Sequence, residues 1–472
     1  MIQYITERGV SMIKRIHLSN FKSFGSITLD LTGKNEKPKN MAFIYGENGS
    51  GKSNLVSSLV FLKRTFSSLN NLERIKNLDL SKVTNTLVNE ADDSLKEVIR
   101  KLIKQVSLVD LVKEHKTIGN NKPMSIEIEF LVEDKEGSYS VLFNNDGVIE
   151  ETLRFLINKR VGEMFYISQK EVRISPSVFT DNDYRKEIKD NISKYWGKHT
   201  LLGILFYEIN NKNFDYIEER FNKNLITIIN WFNDISVLYK GNKLETGFIS
   251  TPYSFMRDLS SGTIKDENDP ELKAFEEMIN VFFTQLYSDV KKAFYKIKPE
   301  KGLFSYNLYF KKLINENIVE IPFSLESSGT QRLLDLLPYV YLVATGSTVI
   351  VDEADYGIHD LLITTIIEFL YDAHEDDHFG QFVATTHNTY LMQNLPREDI
   401  YVLSTDIFGV KNLISLDKYE FRTQKNHNVQ SKYLRGDYSG IPSIGYFDVL
   451  EVVSEVRESI HSYQKASQTK HG

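Results

Sequence analysis

Residues 13–31 read IKRIHLSNFKSFGSITLDL, with Ile13, Ile16, Leu18, Phe21, Phe24, Ile27, Leu29 and Leu31 punctuating polar positions at near-strand spacing. That pattern predicts two short strands turning near Gly25. A polar loop leads to the apolar run MAFIY, then GENGSGKS, then NLVSSLVFLKRTF with apolar spacing of three and four. The prediction is strand, glycine loop, helix. Residues 67–122 are polar and rich in Leu, Lys and Asn, which predicts helices with loose connections closed by Pro123. From Ser125 the alternation returns: Ile126, Ile128 and Phe130 face one way and Glu127 and Glu129 the other. Tyr139, Val141 and Phe143 repeat it before the Asn145-Asp146-Gly147 turn, so 125–157 reads as an antiparallel β lobe. Residues 181–300 are mostly helical by spacing, without a coiled-coil heptad. Strand character resumes at 303–323, and further apolar strands fall at STVIVDEAD and QFVATTH.

Composition narrows the classes. Hydrophobic residues make up 41% and charged residues 26% of 472, which is globular rather than disordered composition. The absence of cysteine excludes disulfides, thiolate zinc sites and cysteine nucleophiles, and leaves ten histidines as the softer metal ligands. Charges of 57 against 64 give −7, so a nucleic-acid contact would need a local basic patch. Two such runs exist. Lys96, Arg100 and Lys104, with Lys101 beside them, share one face if helical, and Lys291, Lys292, Lys296, Lys298 and Lys301 interleave with Phe294 and Tyr295. Both read more simply as solvated helix faces. MIQYITERGV lacks the apolar run of a signal peptide, Met12 is as good a start as Met1, and no stretch reaches about 20 apolar residues. A cytoplasmic protein without a membrane span is expected.

Four segments carry chemistry. Gly46-Glu47-Asn48-Gly49-Ser50-Gly51-Lys52-Ser53 matches G-x-x-x-x-G-K-[ST] at every fixed position, between a predicted strand and helix. Its glycines let backbone N–H groups turn onto phosphate oxygens. Lys52 then reaches the β and γ phosphates, Ser53 ligates magnesium, and the helix N-terminus, where Asn54 follows, adds its dipole. Ser347-Thr348-Val349-Ile350-Val351-Asp352-Glu353 is a buried-type strand ending in two carboxylates. Asp352 is expected to hold magnesium, and Glu353 to orient and deprotonate the attacking water of an ATP hydrolysis. Thr385-Thr386-His387 ends the next apolar strand, where His387 suits a γ-phosphate sensor. Glu326-Ser327-Ser328-Gly329-Thr330-Gln331-Arg332 opens a helix, and its hydroxyls and amide donors form either an anion site or an ordinary N-cap.

In this order the four segments resemble the ABC-type ATPase heads: transporter nucleotide domains, SMC-like repair ATPases and RecF-like proteins. Ser327, Ser328, Gly329 and Gln331 stand for the LSGGQ-like signature, departing from it at Thr330 and by a second serine. The resemblance implies that the signature of one subunit closes over ATP held by the P-loop of another, in a homodimer or a larger assembly of dimers. The LSNFKSFG opening is similar to that of SMC-like and RecF-like heads, which puts Lys22 near the nucleotide. A Q-loop glutamine linking magnesium to the inserted lobe is also implied, and Gln169 in YISQKEV is the candidate. A narrower resemblance covers nearly the whole chain. The AAA-family ATPases of abortive-infection and antiphage systems (AbiLi, RloB-associated and PARIS-type) share the LxNFKSF opening and a phrase like Gly147-Val148-Ile149-Glu150-Glu151. They also share E-S-S-G-T-Q-R, a histidine such as His359 after the acidic pair, and a closing phrase like Tyr433-Leu434-Arg435-Gly436. Where those proteins read D-x-S-L-H-P, this chain has Asp355-Tyr356-Gly357-Ile358-His359-Asp360 and departs at Gly357 and Asp360.

The implied fold is α/β: an ABC-ATPase head, with a P-loop core sheet flanked by helices and an antiparallel β lobe, carrying a compact, mostly helical insertion. The expected divisions are 1–66 for the first part of the core, 67–122 for a helical insertion, 123–175 for the β lobe and 176–300 for a second helical lobe. Residues 301–460 complete the core and 461–472 form a frayed tail. Lys52 and Asp352 lie 300 residues apart yet must share one site, so one domain is split around insertions. The 85 residues after His387 hold no TOPRIM-like acidic cluster, which disfavours a nuclease in this chain. The resemblance implies a magnesium- and ATP-dependent sensor or scaffold that answers a phage-derived trigger and controls a separate effector protein, a TOPRIM-type nuclease. A RecF-like repair ATPase gripping DNA is the alternative, which the acidity and the resemblance disfavour.

Overall fold

The computed structural model describes residues 11–77, 107–240, 245–248, 254–374, 378–419, 428–441 and 449–468. The Lys96–Lys104 basic run and the choice between Met1 and Met12 therefore involve residues outside those described. The chain opens with β1 (Met12–Phe21), β2 (Phe24–Asp30), β3 (Met41–Gly46) and the long helix α1 (Lys52–Asn77). After α2 (Leu108–His115) come β4 (Met124–Val132), β5 (Lys135–Asn144), β6 (Gly147–Ile157), β7 (Arg160–Ser168) and β8 (Val172–Ile174). Four helices follow: α3 (Asn182–Tyr195), α4 (Leu201–Asn211), α5 (Phe214–Glu218) and α6 (Lys223–Asp234). Then come β9 (Ser236–Lys240), β10 (Glu245–Phe248), β11 (Ser261–Ile264), α7 (Pro270–Leu286), β12 (Val290–Glu300), β13 (Leu303–Ile314) and β14 (Asn317–Pro322). The remainder is α8 (Ser328–Ala344), β15 (Thr348–Val351), α9 (Asp360–Ala373), β16 (Gln381–Thr385), β17 (Ile400–Thr405), β18 (Lys411–Ser415), α10 (Val429–Leu434) and α11 (Val449–Gln468).

The fold is α/β and builds three sheets. The core sheet runs β10-β9-β15-β16-β3-β17-β18, with β9, β15, β16, β3 and β17 parallel and an antiparallel strand at each edge. Every residue of β3, β15 and β16 is buried, as expected for strands covered on both faces. The second sheet, β2-β1-β4-β5-β6-β7-β8, is wholly antiparallel. Its alternation is the one read from the sequence: Ile126, Ile128, Phe130, Tyr139, Val141 and Phe143 are all buried on one face. That face packs against α1, whose Leu59, Val60, Leu62 and Phe66 are buried in the same core. A four-stranded sheet, β11-β13-β12 with β14 on β13, stands by α7.

Several divisions differ from the sequence reading. β1 pairs with β2 on one side and with β4 on the other, so the opening hairpin extends the antiparallel lobe instead of the ATPase core. Residues 176–300 are not purely helical. Val237 pairs in parallel with Ile350, which makes β9 a core strand, and β10, β11 and β12 also lie in this region. The Lys291–Lys301 run lies on or just beyond strand β12, not on a helix, because alternation of Ala293, Tyr295 and polar neighbours outweighs helical spacing there. Residues 441–472 form a separate unit, described apart from Ile441 by its helix α11, which extends through Gln468 where a frayed tail is expected. Among the described residues no helix is long and apolar enough to cross a membrane.

Candidate nucleotide site

Gly46 ends β3, and the loop to α1 is built so that only glycine fits its tightest points. A Cβ on Gly46 would lie 2.5 Å from the Leu403 carbonyl oxygen, and one on Gly51, at φ +115°, would lie 2.8 Å from the Phe24 ring. The β1–β2 turn thus lies over the loop, and Ser23 Oγ accepts from Asn54 Nδ2 at 2.8 Å. Lys52 is 5% exposed and its ammonium donates to the carbonyls of Gly46 (2.7 Å) and Glu47 (3.1 Å). Burial pulls its pKa down to about 8, against the charges of Asp352, Glu353, Asp355 and Glu47. Asn48 and Gly49 form the exposed tip. Ser50 Oγ is buried without a hydrogen-bond partner.

The acidic end stands two strands away, because β16 lies between β3 and β15. At about 4.8 Å per strand this places Asp352 roughly 10 Å across the sheet from the loop, with both at the carboxyl ends of parallel strands. Thr385, at the end of the intervening strand, bridges the gap. Its hydroxyl donates to Asp352 Oδ1 at 2.7 Å and accepts from the Glu353 N–H at 2.7 Å. Glu353 has φ +49°, a conformation that costs a non-glycine residue about 1–3 kcal/mol and persists only where neighbours enforce it. The Thr385 hydroxyl, together with Ala354 N–H donating to the Thr385 carbonyl (2.9 Å), supplies that enforcement.

Asp352 is fully buried. Burial pushes its carboxyl up, while hydrogen bonds from Thr385 and Ser53 and the charge of Lys52 pull the other way. Its Oδ2 has no hydrogen-bond partner, and neither has the buried Asp355 Oδ1. A buried carboxylate oxygen beside a serine hydroxyl, with no partner of its own, is a hard-oxygen donor set of the type that holds magnesium through few protein ligands and several phosphate or water oxygens. Among the described residues there is no cluster of three metal-ligating side chains that would hold a metal without such help.

His387 follows the Thr385-Thr386 pair. Its backbone N–H donates to Asp355 Oδ2 at 3.0 Å, and its ring is exposed toward solvent on one side. Partial burial and Lys52 lower the imidazole pKa, so the ring is neutral at pH 7 and keeps one donor and one acceptor nitrogen. Lys22 has φ +47°, donates its N–H to the His115 carbonyl, and sets its ammonium 5.8 Å from the Tyr239 ring centroid. Asp352 is among the charges acting on Lys22, which puts this residue on the flank of the site.

Gln169 is a correction. It is exposed in the β7–β8 turn, four strands from β1, and nothing connects it to Ser53 or Asp352. Opposite β16, the strand that flanks Asp352 is β9: Asp352 N–H donates to the Leu238 carbonyl at 2.8 Å, and the half-buried Tyr239 phenol is pushed up by burial and by the Asp352 charge. No sequence signal marked Tyr239, because β9 was read as helix. Lys411 on β18 was missed as well, and donates to the carbonyls of Gly49 (3.0 Å) and Ser50 from behind the loop.

The signature segment is an N-cap as well as an exposed polar surface. Ser327 Oγ accepts from Thr330 N–H at 3.2 Å, and Gln331 Nε2 donates to the carbonyls of Ser324 and Glu326. Ser327 and Ser328 are exposed, and a Cβ on Gly329 would lie 2.6 Å from the Gly357 carbonyl oxygen. The segment following the acidic pair therefore packs on the signature helix. Gly357, at φ +71°, sits where a side chain would be strained, and His359 caps α9 by accepting from Leu361 N–H at 3.2 Å. Tyr433 packs on Tyr45 with ring centroids 5.9 Å apart, so the closing phrase is a wedge beneath the loop. Glu151, fully buried, accepts from Tyr139, Trp196 and the backbone of Leu201 and Leu202, and so anchors the start of α4.

A glycine cradle with a buried lysine, set beside an acid-ended strand across one intervening strand, is a P-loop nucleotide site of the AAA type. Residues 41–393 match the family described as "AAA domain, putative AbiEii toxin, Type IV TA system", and the chain belongs to that AAA family. Among solved structures it is similar to the SMC head domain from Thermotoga maritima, at 15% identity and TM-score 0.34, covering 85% of this chain and 98% of that one. It is also similar to the recombination mediator protein RecF-ATPrS in the RecFOR pathway, at 12% identity and TM-score 0.31, covering 86% of this chain and 99% of that one. Neither similarity bears on function at these scores. No curated protein matches the chain.

Proposed function

We propose that the protein hydrolyses ATP with magnesium and serves as the sensor and scaffold of an antiphage system, controlling a separate toxic effector by ATP-dependent assembly. The observation that carries the ATPase reading is the partnerless Asp352 Oδ2, buried next to Ser53 at the end of the strand flanked by Thr385. Ser53 and Asp352 would hold the magnesium, which when bound supplies charge neutralisation at the phosphates. Lys52 exchanges its two carbonyl partners for β- and γ-phosphate oxygens, gaining a charge-assisted contact for two neutral ones. Glu353, which follows Asp352 at the end of the same strand, accepts a proton from water. The water oxygen bonds to the γ-phosphorus, the bond to the bridging oxygen breaks, and ADP and phosphate leave. The neutral His387 serves as the γ-phosphate sensor.

Assembly through two bound ATP molecules is supported by the exposure of Ser327 and Ser328 together with Leu325 at 74% and Tyr356 at 50%. Apolar side chains beside an exposed polar helix start suit a surface that a second copy covers. The defence role rests on the family description and on the resemblance of the Glu151, signature and Tyr433 phrases to antiphage ATPases. The repair reading is weaker. Lys296 in the second basic run pairs with Glu320 at 2.7 Å and lies 4.1 Å from the Tyr309 centroid, so part of that run is already neutralised. The test is Glu353→Gln in the full chain: the variant should retain ATP through gel filtration and shift to a larger assembly. A variant that binds ATP and stays at the size of the nucleotide-free protein overturns the assembly mechanism. Co-expression with each neighbouring gene then tests the effector, with toxicity expected to depend on Lys52.

A further inference from the structure

A cavity of about 280 Å³ opens between α1, α4 and α6. It lies apart from the nucleotide loop, since Lys63 at its edge is eleven residues beyond Lys52, roughly 16 Å along the helix. Phe66, Phe206 and Phe232 offer aromatic surface, with Leu202 and Ile229 between them. The polar part is small. Asn71 and Asn233 reach the rim, and among the described residues neither side-chain amide has a hydrogen-bond partner. Ser67 spends its hydroxyl on the Lys63 carbonyl at 2.8 Å, and Lys63 is the fourth polar group. It is partly buried and donates to the carbonyls of Phe232 (3.4 Å), Asn233 (2.8 Å) and Ile235 (2.5 Å). Three acceptors saturate an ammonium, so Lys63 contributes positive potential to the cavity and no spare proton.

These features select a ligand class. The volume falls just short of the roughly 300 Å³ at which drug-sized sites begin, which suits a single ring system. Aromatic walls favour a flat face, and a nearby cation favours a π surface over an aliphatic one. Two carboxamides each present a donor and an acceptor, which pair with a ring edge that alternates the two. Charged ligands are disfavoured, since no side chain here has an unused charge-assisted hydrogen bond to give.

The cavity is also mechanically placed. Lys63 ties the P-loop helix to the last turn of α6, and Ile235 joins that turn directly to β9. Four residues past Ile235, Tyr239 stands beside Asp352. A ligand seated against Phe232 and Asn233 therefore bears on both elements that position the two ends of the nucleotide site.

We propose that this cavity binds a neutral heteroaromatic ring of the nucleobase class, and that its occupancy changes nucleotide affinity at the P-loop site. The second half rests on the ATPase reading above; the first does not. The experiment uses the full chain with adenine and indole as probes, adenine carrying the donor–acceptor edge and indole lacking it. Binding is read by ligand-observed NMR and thermal shift with the P-loop site saturated by a non-hydrolysable ATP analogue, so that adenine cannot report on that site. Wild type should bind adenine more tightly than indole. Ser67→Trp, which fills the cavity from α1, should weaken both at least tenfold, and the milder Asn71→Leu should erase the preference for adenine. A labelled ATP analogue should change affinity at least threefold with saturating indole, and not in Ser67→Trp. Absent binding, or binding unaltered in both variants, overturns the site. Binding that leaves analogue affinity unchanged overturns the coupling, and an analogue that fails to bind at all indicts the ATPase reading instead, with probe binding to the unsaturated protein still deciding the cavity.

Discussion

The core sheet and the antiparallel sheet have seven strands each, yet they meet the nucleotide site in different ways. In the core, β3, β15 and β16 are buried along their whole length, and chemistry begins where each stops: Gly46, Asp352, and Thr385 with His387. In the antiparallel sheet one face is core, and a single turn, between β1 and β2, reaches the site through Phe24 and Ser23. Strand direction accounts for the contrast. Parallel strands deliver all their carboxyl ends to one edge, whereas antiparallel neighbours end at opposite edges, so only alternate turns can face a given site. Reactive groups gather on one sheet, and the other supplies a wall and stability.

The largest expected effect that could break this division is on turnover. Glu353→Gln keeps the shape of the side chain and removes its basicity, so kcat should fall roughly 100- to 10,000-fold with nucleotide affinity kept or raised. A fall below tenfold in phosphate release would place the base elsewhere. The matching test on the wall is Glu151→Ala. It strands the buried donors of Tyr139, Trp196, Leu201 and Leu202, and should cost about 3 kcal/mol or more in urea unfolding while ATP affinity of the folded protein holds. Lost affinity without lost stability would show that the lobe takes part in the chemistry.

The one contact that joins the two sheets over the site can be tested directly. Gly51→Ala adds a Cβ 2.8 Å from the Phe24 ring at φ +115°, so nucleotide affinity should drop roughly 10- to 100-fold. Adding Phe24→Ala relieves the clash and leaves the backbone strain, so the double variant should recover part of the loss and no more. Full recovery would mean that the wall, and not the left-handed backbone, dictates glycine. Lys411→Ala comes next. It removes the cation behind Gly49 and Ser50 and should weaken ATP binding about tenfold with kcat within twofold, with Lys411→Arg restoring most of it. An unchanged equilibrium titration would reduce Lys411 to a surface residue.

How legible each sheet was follows from the same contrast. The loop 46–53, the acidic strand and Thr385-Thr386-His387 carry fixed residue types at fixed spacing, and the structure brings them together as the sequence order implied. The alternation of β4 and β5 was equally readable, because one buried face imposes a period of two. Strand pairing was not readable. β9 is a five-residue strand following directly on a helix, and no local pattern shows that its partner is β15, more than a hundred residues later. Tyr239 was missed and Gln169 chosen for that reason. Lys411 left no trace for a similar reason: a lysine in a polar edge strand is ordinary until the fold sets it against Gly49. The departures at Gly357 and Asp360 look like damage in sequence. In the fold, Gly357 takes a left-handed turn against Gly329 and Asp360 begins α9.

The smallest effect is also the one most specific to the core. Burial lowers Lys52 to about 8 because the ammonium sits in the loop with only carbonyl partners, while the acids that favour its charge lie further off. Below pH 8 the lysine is protonated and ready for phosphate; above it, binding must first take up a proton. A bound phosphate raises the pKa, so affinity should be flat below pH 7.5 and fall roughly fourfold between pH 7 and 8.5, with uptake of up to one proton per nucleotide. The direction separates Lys52 from the other titrating groups. His387, already neutral at pH 7, has nothing left to titrate in this window. Calorimetry in two buffers of different ionisation enthalpy measures the proton directly. Affinity that is level to pH 9, with no proton uptake, would mean that Lys52 is charged and solvated before ATP arrives, and that the buried cradle described above opens on its own.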